Sequence, residues 1–509
     1  MIEESGILRG EEFVTLDALN QRARQAASAL SSIGVSAGDR VALLLRNDIP
    51  FFEASLAAGM VGAAPVPQNW HGKPEDVLGI LLDCKAKVLV AHADLLRPVL
   101  GLLPEGLEVR VVPTPYDIGE SYKIPKEAWD VPDGTVEWGS WIDGFGPRTD
   151  DPVAAPSAML YTSGTTGKPK GVRREAMTVP TPYLADLAKL SGFGPGVRAV
   201  VTGPLYHGAP LAWAMGWVRS GGLIVLQNRF DPEDLLRLID EQRITNLMLV
   251  PIMLNRMLQL PAEVRQRYDV SSLRHVTMGA APCPRHVKQA IIEWWGPVLM
   301  EQYGSLEIGV VTGATSEEWL AHPGTVGKAL VDVQIKILDA DGNEVEIGEI
   351  GEIFTRIEGQ SDFVYEGRPD ARAEIERDGF LTAGDVGYLD ADGFLYLSDR
   401  KKDMVISGGV NIFPPEIEEC LLAMPGIRDV AVFGIPDEEY GEALAAAVEL
   451  DGTTTVAADD VRGFVRAHLA GYKVPKVVDF LDKIPRLDSG KILKRQLREP
   501  YWAAAGRSI

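Results

Sequence analysis

The 509-residue chain has only three cysteines, Cys84, Cys283 and Cys420. Their spacing fits neither a zinc site nor a disulfide framework, and a reducing, cytoplasmic compartment is the expectation. Histidine is also scarce: seven residues are scattered along the chain, with no pair at metal-ligand spacing. No apolar run approaches the roughly 20 residues that a membrane-spanning helix needs. The start, Met1-Ile2-Glu3-Glu4-Ser5, lacks the basic and apolar segments of a secretory leader. Basic charge is in deficit: 72 Asp and Glu against 50 Lys and Arg leave a net charge of −22. So acidic a surface repels phosphate backbones and anionic lipid, so nucleic-acid and membrane-surface partners are not expected. A small anionic ligand remains possible, because a few positioned donors suffice for it. The 46% hydrophobic and 24% charged residues are ordinary globular usage, which excludes disordered and fibrous classes.

Strand and helix patterns alternate from the start. Leu16, Leu19, Ala23, Ala26, Ala27, Leu30 and Ile33 recur at helical spacing, with Thr15 as N-cap and Gly34 as stop. Val41–Leu45 reads as a buried strand, residues 51–61 as a helix, Pro65–Pro67 as an edge strand or loop, residues 76–84 as a helix and Val88–Ala91 as a strand. Further strands are expected at 199–201, 223–226, 247–250 and 275–278. This is the α/β pattern of a largely parallel sheet. Residues 113–150, rich in Pro, Gly, Trp and acidic residues, read as a long surface loop. Beyond about residue 330 the texture becomes β-ribbon, with segments at 333–338, 349–355 and 388–397 and a turn at Asp390–Gly393. The last hundred residues read as a small α+β unit: helices at 414–424 and 459–469, strands at 430–433 and 443–450. The expected organisation is a large N-terminal domain of α/β layers plus a β-ribbon subdomain over 1–398, a hinge at 399–403, and a small mobile α+β C-terminal domain over 404–509.

The densest chemical signal is Tyr161-Thr162-Ser163-Gly164-Thr165-Thr166-Gly167-Lys168-Pro169-Lys170-Gly171. Glycines let backbone amides approach an anion, and the Ser/Thr hydroxyls and lysines donate to phosphate oxygens. It is not a Walker A loop, because Pro169 follows Lys168 where that motif needs Ser or Thr.

This stretch resembles the phosphate loop of the adenylate-forming superfamily, which includes acyl-CoA synthetases, peptide-synthetase adenylation domains and beetle luciferases. Further blocks follow in that superfamily's order: Pro204-Leu205-Tyr206-His207-Gly208, Gly279-Ala280-Ala281-Pro282, Glu301-Gln302-Tyr303-Gly304-Ser305-Leu306-Glu307, Thr382-Ala383-Gly384-Asp385, Ser398-Asp399-Arg400-Lys401-Lys402-Asp403, the segment from Gly408-Gly409 to Glu418, and Pro485-Arg486-Leu487-Asp488-Ser489-Gly490-Lys491. The likeness runs from about residue 15 to residue 497.

The resemblance implies ATP and coenzyme A as substrates and Mg²⁺ as cofactor. It implies that Thr162 to Lys170 hold the β- and γ-phosphates and that Glu307 binds the Mg²⁺. Tyr303 would stack on adenine against Ala280 and Ala281, with Gly279, Pro282, Gln302, Gly304 and Ser305 completing the nucleotide site. Asp385 would accept the ribose hydroxyls, and Arg400 would add a ribose or phosphate contact. Lys491 would bridge substrate carboxylate and α-phosphate, where its charge counts most in the transition state. Lys402 matches the hinge position, Gly408 and Gly409 the path of the pantetheine arm, and His207 the mouth of the acyl pocket. Gly203, Gly208, Ala209, Ala212, Ala214 and Gly216, with Trp213 and Met215, suggest a roomy apolar pocket. Two positions depart from the pattern: Leu306 and Leu487 stand where the superfamily has threonine. Leu306 removes a hydroxyl that faces the α-phosphate, and Ser305 is its nearest substitute.

The expected function is activation of a hydrophobic carboxylic acid as acyl-AMP and transfer to coenzyme A. No carrier domain precedes the end at Ile509, which favours a diffusible acceptor. The rivals are transfer to an amine and a nucleotide-binding pseudoenzyme. A monomer or homodimer is expected.

Overall fold

The computed structural model describes the chain except residues 1, 3, 152, 155, 163–169, 176–179, 369, 409, 488–489 and 506–509; of Thr162 it describes the backbone. The chain forms two compact units, residues 1–249 with 260–277 and 357–376, and residues 250–259 with 278–356 and 377–509.

In the first unit, the helix Leu16–Ser32 starts where Thr15 Oγ1 accepts the Ala18 amide at 3.2 Å. Its apolar stripe, including Leu19, Ala23, Ala26 and Leu30, is fully buried. A parallel sheet runs in the order Ala64–Pro67, Arg40–Leu44, Val88–His92, Glu108–Val112, Val136–Glu137. The proline-flanked segment therefore is an edge strand, where a missing amide donor is tolerated. A second set of parallel strands is Asn246–Leu249, Arg198–Val201, Leu223–Leu226 and Gly6–Arg9, with Glu12–Thr15 antiparallel at the edge. The central strands Arg40–Leu44, Val88–His92, Arg198–Val201 and Leu223–Leu226 bury near-continuous aliphatic runs, as two-sided parallel strands must.

Residues 113–150 are not the loop that their composition suggests. They carry the helices Tyr116–Ser121 and Trp138–Asp143 and the strand Val136–Glu137. Ile118, Trp138 and Ile142 are buried, and Trp138 Nε1 donates to Glu53 Oε2 at 2.8 Å. Three apolar anchors order the segment, and its prolines and glycines only separate the elements.

In the second unit, an antiparallel sheet joins Gly351–Ile357, Phe380–Leu389, Phe394–Arg400, Gly327–Ala329, Gly309–Ala314 and Leu299–Ser305 in that order. The turn at Asp390–Gly393 is as expected: Asp390 Oδ1 accepts the Asp392 and Phe394 amides, and Gly393 has a φ of 82°. The C-terminal part of this unit has its own mixed sheet. Ile427–Asp437 pairs antiparallel with Gly441–Leu450, which also pairs parallel with Val477–Phe480. The helices Pro414–Leu422 and Ala458–His468 cover one face through Ile417, Leu421, Val461 and Val465. A third helix, Lys494–Ala504, follows the lysine block. Among the described residues, no helix is long and apolar enough to cross a membrane.

Candidate active site

Tyr303, Asp385 and Arg400, expected at the nucleoside end, lie in the second unit on paired strands. The strand Leu299–Ser305 shifts register between Tyr303 and Gly304. A Cβ on Gly304 would meet Gly309 O at 2.0 Å, so only glycine fits this bulge. Tyr303 is buried, and its hydroxyl donates to Asp385 Oδ2 at 2.9 Å. Asp385 stands opposite Arg400 in the antiparallel pair, with Arg400 Nε 3.3 Å from Asp385 Oδ1. Both carboxylate oxygens thus have a partner. Burial pushes the Asp385 carboxyl up, Glu307 adds to that, and Arg400, Tyr303 and Lys491 oppose it. Burial likewise pushes the Tyr303 phenol well up, so it stays protonated and donating.

At the end of the strand His275–Met278, Ala280 adopts a left-handed φ of 68°, a conformation that costs energy for a residue with a Cβ. A Cβ on Gly279 would lie 2.7 Å from Gln302 O, so the GAAP turn presses on the backbone of the Tyr303 strand. Ala280 itself is exposed.

Ser305 lies beside Glu307. Its Oγ donates to Glu307 Oε2 at 3.0 Å and accepts the amides of Glu307 and Ile308 at 3.2 and 3.3 Å. These bonds orient the Glu307 carboxylate.

Lys491 is half-buried, and its ammonium is pushed down to about 8, mainly by burial and then by Arg400 and Lys402. Asp403 and Asp385 oppose the shift. The structure therefore brings Lys491, Arg400, Lys402 and Asp385 into one electrostatic cluster, although the sequence separates them by up to 106 residues. Burial also pushes the Lys402 ammonium down. Such a concentration of cationic groups around one carboxylate suits an anionic ligand. Asp399 belongs to the segment 399–403 expected as a hinge, without a chemical role of its own. Its carboxyl is pushed up to about 7 by burial, against Lys494. The acid next to Arg400 was the available signal, masked by the polar look of the segment.

The remaining predicted residues lie elsewhere. In the first unit, Leu160–Thr162 and Lys170–Arg174 form an antiparallel hairpin, with Thr162 opposite Lys170. Ser163, Gly164, Thr165, Thr166, Gly167 and Lys168 lie outside the described residues. Lys170 Nζ stands 5.1 Å over the Tyr365 ring. His207 precedes the helix Gly208–Arg219 in its N-cap position, with its ring 4.3 Å from that of Tyr206. Two of the small residues around it, Gly203 and Gly216, make room for neighbours. A Cβ on Gly216 would lie 2.4 Å from the Phe193 ring, and one on Gly203 2.7 Å from Pro210. In the second unit, Gly408 has a φ of 56° and faces Tyr440, whose carbonyl accepts its amide at 2.9 Å. Gly409 lies outside the described residues.

With this geometry in hand, comparison with known proteins defines the class. Residues 5–361 match the AMP-binding enzyme family, and residues 416–491 match the AMP-binding enzyme C-terminal domain. The chain belongs to the AMP-binding enzymes, the adenylate-forming superfamily that includes the acyl-CoA synthetases, and it is an enzyme. Among curated relatives, a feruloyl-CoA synthase of an Amycolatopsis species is 32% identical over 98% of this chain and 96% of its own. Among solved structures, ATP-bound MatB of Rhodopseudomonas palustris is 28% identical, with a TM-score of 0.84 over 98% of this chain and 97% of that one. The amide bond synthetase McbA of Marinactinospora thermotolerans is 26% identical, with a TM-score of 0.83 over 98% and 97%.

Proposed function

We propose that this enzyme activates a hydrophobic carboxylic acid with ATP and passes the acyl group to coenzyme A. The observation that carries the reading is the gathering of Lys491, Arg400 and Asp385 into one charged cluster beside Tyr303. In the first step a carboxylate oxygen attacks the α-phosphorus of ATP, the bond to the β-phosphate oxygen breaks, and pyrophosphate leaves. Two anions must meet, and Lys491 bridges them as charge gathers on the oxygens between them. Asp385 receives the ribose hydroxyls with Arg400 behind it, and Tyr303 supplies a stacking face whose hydroxyl is already tied to Asp385.

Glu307 fits a hard divalent cation, being a carboxylate oriented by Ser305. Mg²⁺ held there would neutralise phosphate oxygens. Thr162 to Lys170 would hold the leaving pyrophosphate. In the second step the coenzyme A sulfur attacks the acyl carbonyl and AMP departs. For this the small domain turns about Lys402 (the proposed boundary is 399–403), which withdraws Lys491 and admits the pantetheine arm past Gly408 and Gly409. His207 lies at the mouth of the acyl pocket.

The relative named as a feruloyl-CoA synthase supports an aryl acid here, and one from Mycobacterium tuberculosis named as a long-chain-fatty-acid–CoA ligase supports a fatty acid. The likeness to McbA supports a second reading, in which an amine receives the acyl group. AMP release from ATP, measured across ferulate, benzoate, octanoate and dodecanoate with coenzyme A, with an amine, or with neither, separates the two. Release that requires coenzyme A is expected. Release with the amine and none with the thiol would replace the reading with amide synthesis.

A further inference from the structure

Lys491 sits at the end of a tight turn, and Arg486, within the same sequence block, fixes that turn. Leu487 N donates to Lys491 O at 2.8 Å, Gly490 N to Leu487 O at 2.8 Å, and Leu493 N to Pro485 O at 2.9 Å. The hairpin's base is anchored by Ile484, which is buried among Phe433, Ile435 and Ala445 with Ile492 packed alongside. Of the tip's described residues, Leu487 and Gly490, neither belongs to that apolar cluster. There, Arg486 reaches across to the strand Ile427–Asp437: Nε donates to Asp429 Oδ2 at 2.8 Å and Nη2 to Asp429 Oδ1 at 2.6 Å. Its third arm, Nη1, donates to Gly490 O at 2.5 Å, the carbonyl directly before Lys491. Asp429 is itself fixed, since it is buried at a bulge and its Oδ1 also accepts the Val430 amide. The planar guanidinium therefore ties the peptide bond preceding Lys491 to a rigid strand through three directed bonds. A lysine cannot reproduce that fork.

We infer that Arg486, held by Asp429, is a positioning residue for Lys491, setting where the Lys491 ammonium lies during adenylate formation. This rests on the reading of Lys491 given above. The charge of Arg486 is taken up by Asp429, so it acts through geometry. A displacement of about 1 Å in a catalytic group can cost on the order of 100-fold in rate. The step that does not use Lys491 should be spared.

The test splits the two half-reactions. Carboxylate-dependent exchange of pyrophosphate into ATP reads the first, using the most active acid of the panel. Thioester formation from that acid's synthetic adenylate and coenzyme A reads the second. Arg486→Ala should lower exchange roughly 10- to 100-fold while thioester formation changes less than about threefold, and Arg486→Lys should fall between. Lys491→Ala combined with Arg486→Ala should be no slower in exchange than Lys491→Ala alone, because a positioning residue has nothing left to position. Equal losses in both half-reactions would overturn the inference in favour of a purely structural clamp, as would a double variant well below Lys491→Ala. If Arg486→Ala melts below the assay temperature, Arg486→Lys and Asp429→Asn carry the same comparison. Exchange unaffected by Lys491→Ala would instead overturn the underlying reading of Lys491, and the inference with it.

Discussion

Asp385 and Lys491 each carry a charge that burial opposes, yet they are held in different ways. Asp385 is mid-strand, with Tyr303 and Arg400 supplied by the two strands that carry the site and a glycine-only bulge fixing the register. Lys491 stands on a hairpin tip, and cationic neighbours, Arg400 and Lys402, lower its pKa further. The nucleoside end is thus satisfied before any ligand arrives. The lysine end holds charge in excess, and an anion relieves it. On the proposed function, binding is built into a sheet, whereas transition-state charge is placed on an element proposed to move.

The comparison predicts the largest effect at the lysine. Lys491→Ala should reduce pyrophosphate exchange by about 100- to 1,000-fold with a small change in the KM for ATP, since the lost contact belongs to the transition state. Asp385→Ala should do the reverse in kind. It leaves Arg400 and the Tyr303 hydroxyl without their acceptor and should raise the KM for ATP about tenfold or more, by loss of charge-assisted hydrogen bonds. Steady-state exchange kinetics read both. A KM effect from Lys491→Ala and a pure rate effect from Asp385→Ala would erase the distinction.

A pH profile sharpens it. The Lys491 ammonium ordinarily titrates at 10.5 and is lowered to about 8, so its charge is lost as pH rises through 8. For the exchange reaction, kcat/KM should therefore fall about tenfold per pH unit above roughly 8, because that ratio reports the free enzyme. Lys491→Arg, which stays charged, should be slower at pH 7 but should lack this alkaline limb. An unchanged limb in Lys491→Arg would assign it to another group.

Much of this was legible in the sequence, for reasons that differ by element. Runs such as Leu223–Leu226 and stripes such as Leu19–Leu30 announce themselves, because burial on both faces or on one face imposes a period. Residues 113–150 did not, since Ile118, Trp138 and Ile142 are too widely spaced to make a period and are embedded in turn-forming residues. The site blocks gave residue identity but not direction. Whether Ser305 faces a phosphate or the Glu307 carboxylate depends on how the turn after the strand folds. The free space suggested by Gly203 and Gly216 was filled by Pro210 and Phe193, partners that no local window reveals. The Arg486–Asp429 pair joins residues 57 apart and was invisible for the same reason.

The smallest effect lies where the two ends meet. Asp399 precedes Arg400 on the strand Phe394–Arg400, and one oxygen accepts the Arg400 amide at 2.6 Å. Its surroundings are Lys494, which is paired to Glu418 at 2.9 Å, and the like-charged Asp403 and Glu418. Burial raises its carboxyl from 3.8 to about 7, with Lys494 opposing and Glu418 and Asp403 reinforcing. Between those pH values the unfolded carboxyl is ionised while the folded one keeps its proton. The folded state then binds more protons, and its stability declines as pH rises through the window, levelling above 7. Asp399→Asn keeps the acceptor for Arg400 and carries no charge to bury. Its stability relative to the parent should be greater at pH 8 than at pH 5 by about 1–2 kcal/mol, readable as a larger difference in Tm at the higher pH. Equal differences at both pH values would mean that Lys494 neutralises Asp399 outright. The segment between the nucleoside end and the lysine end would then carry a closed ion network and no strained carboxyl.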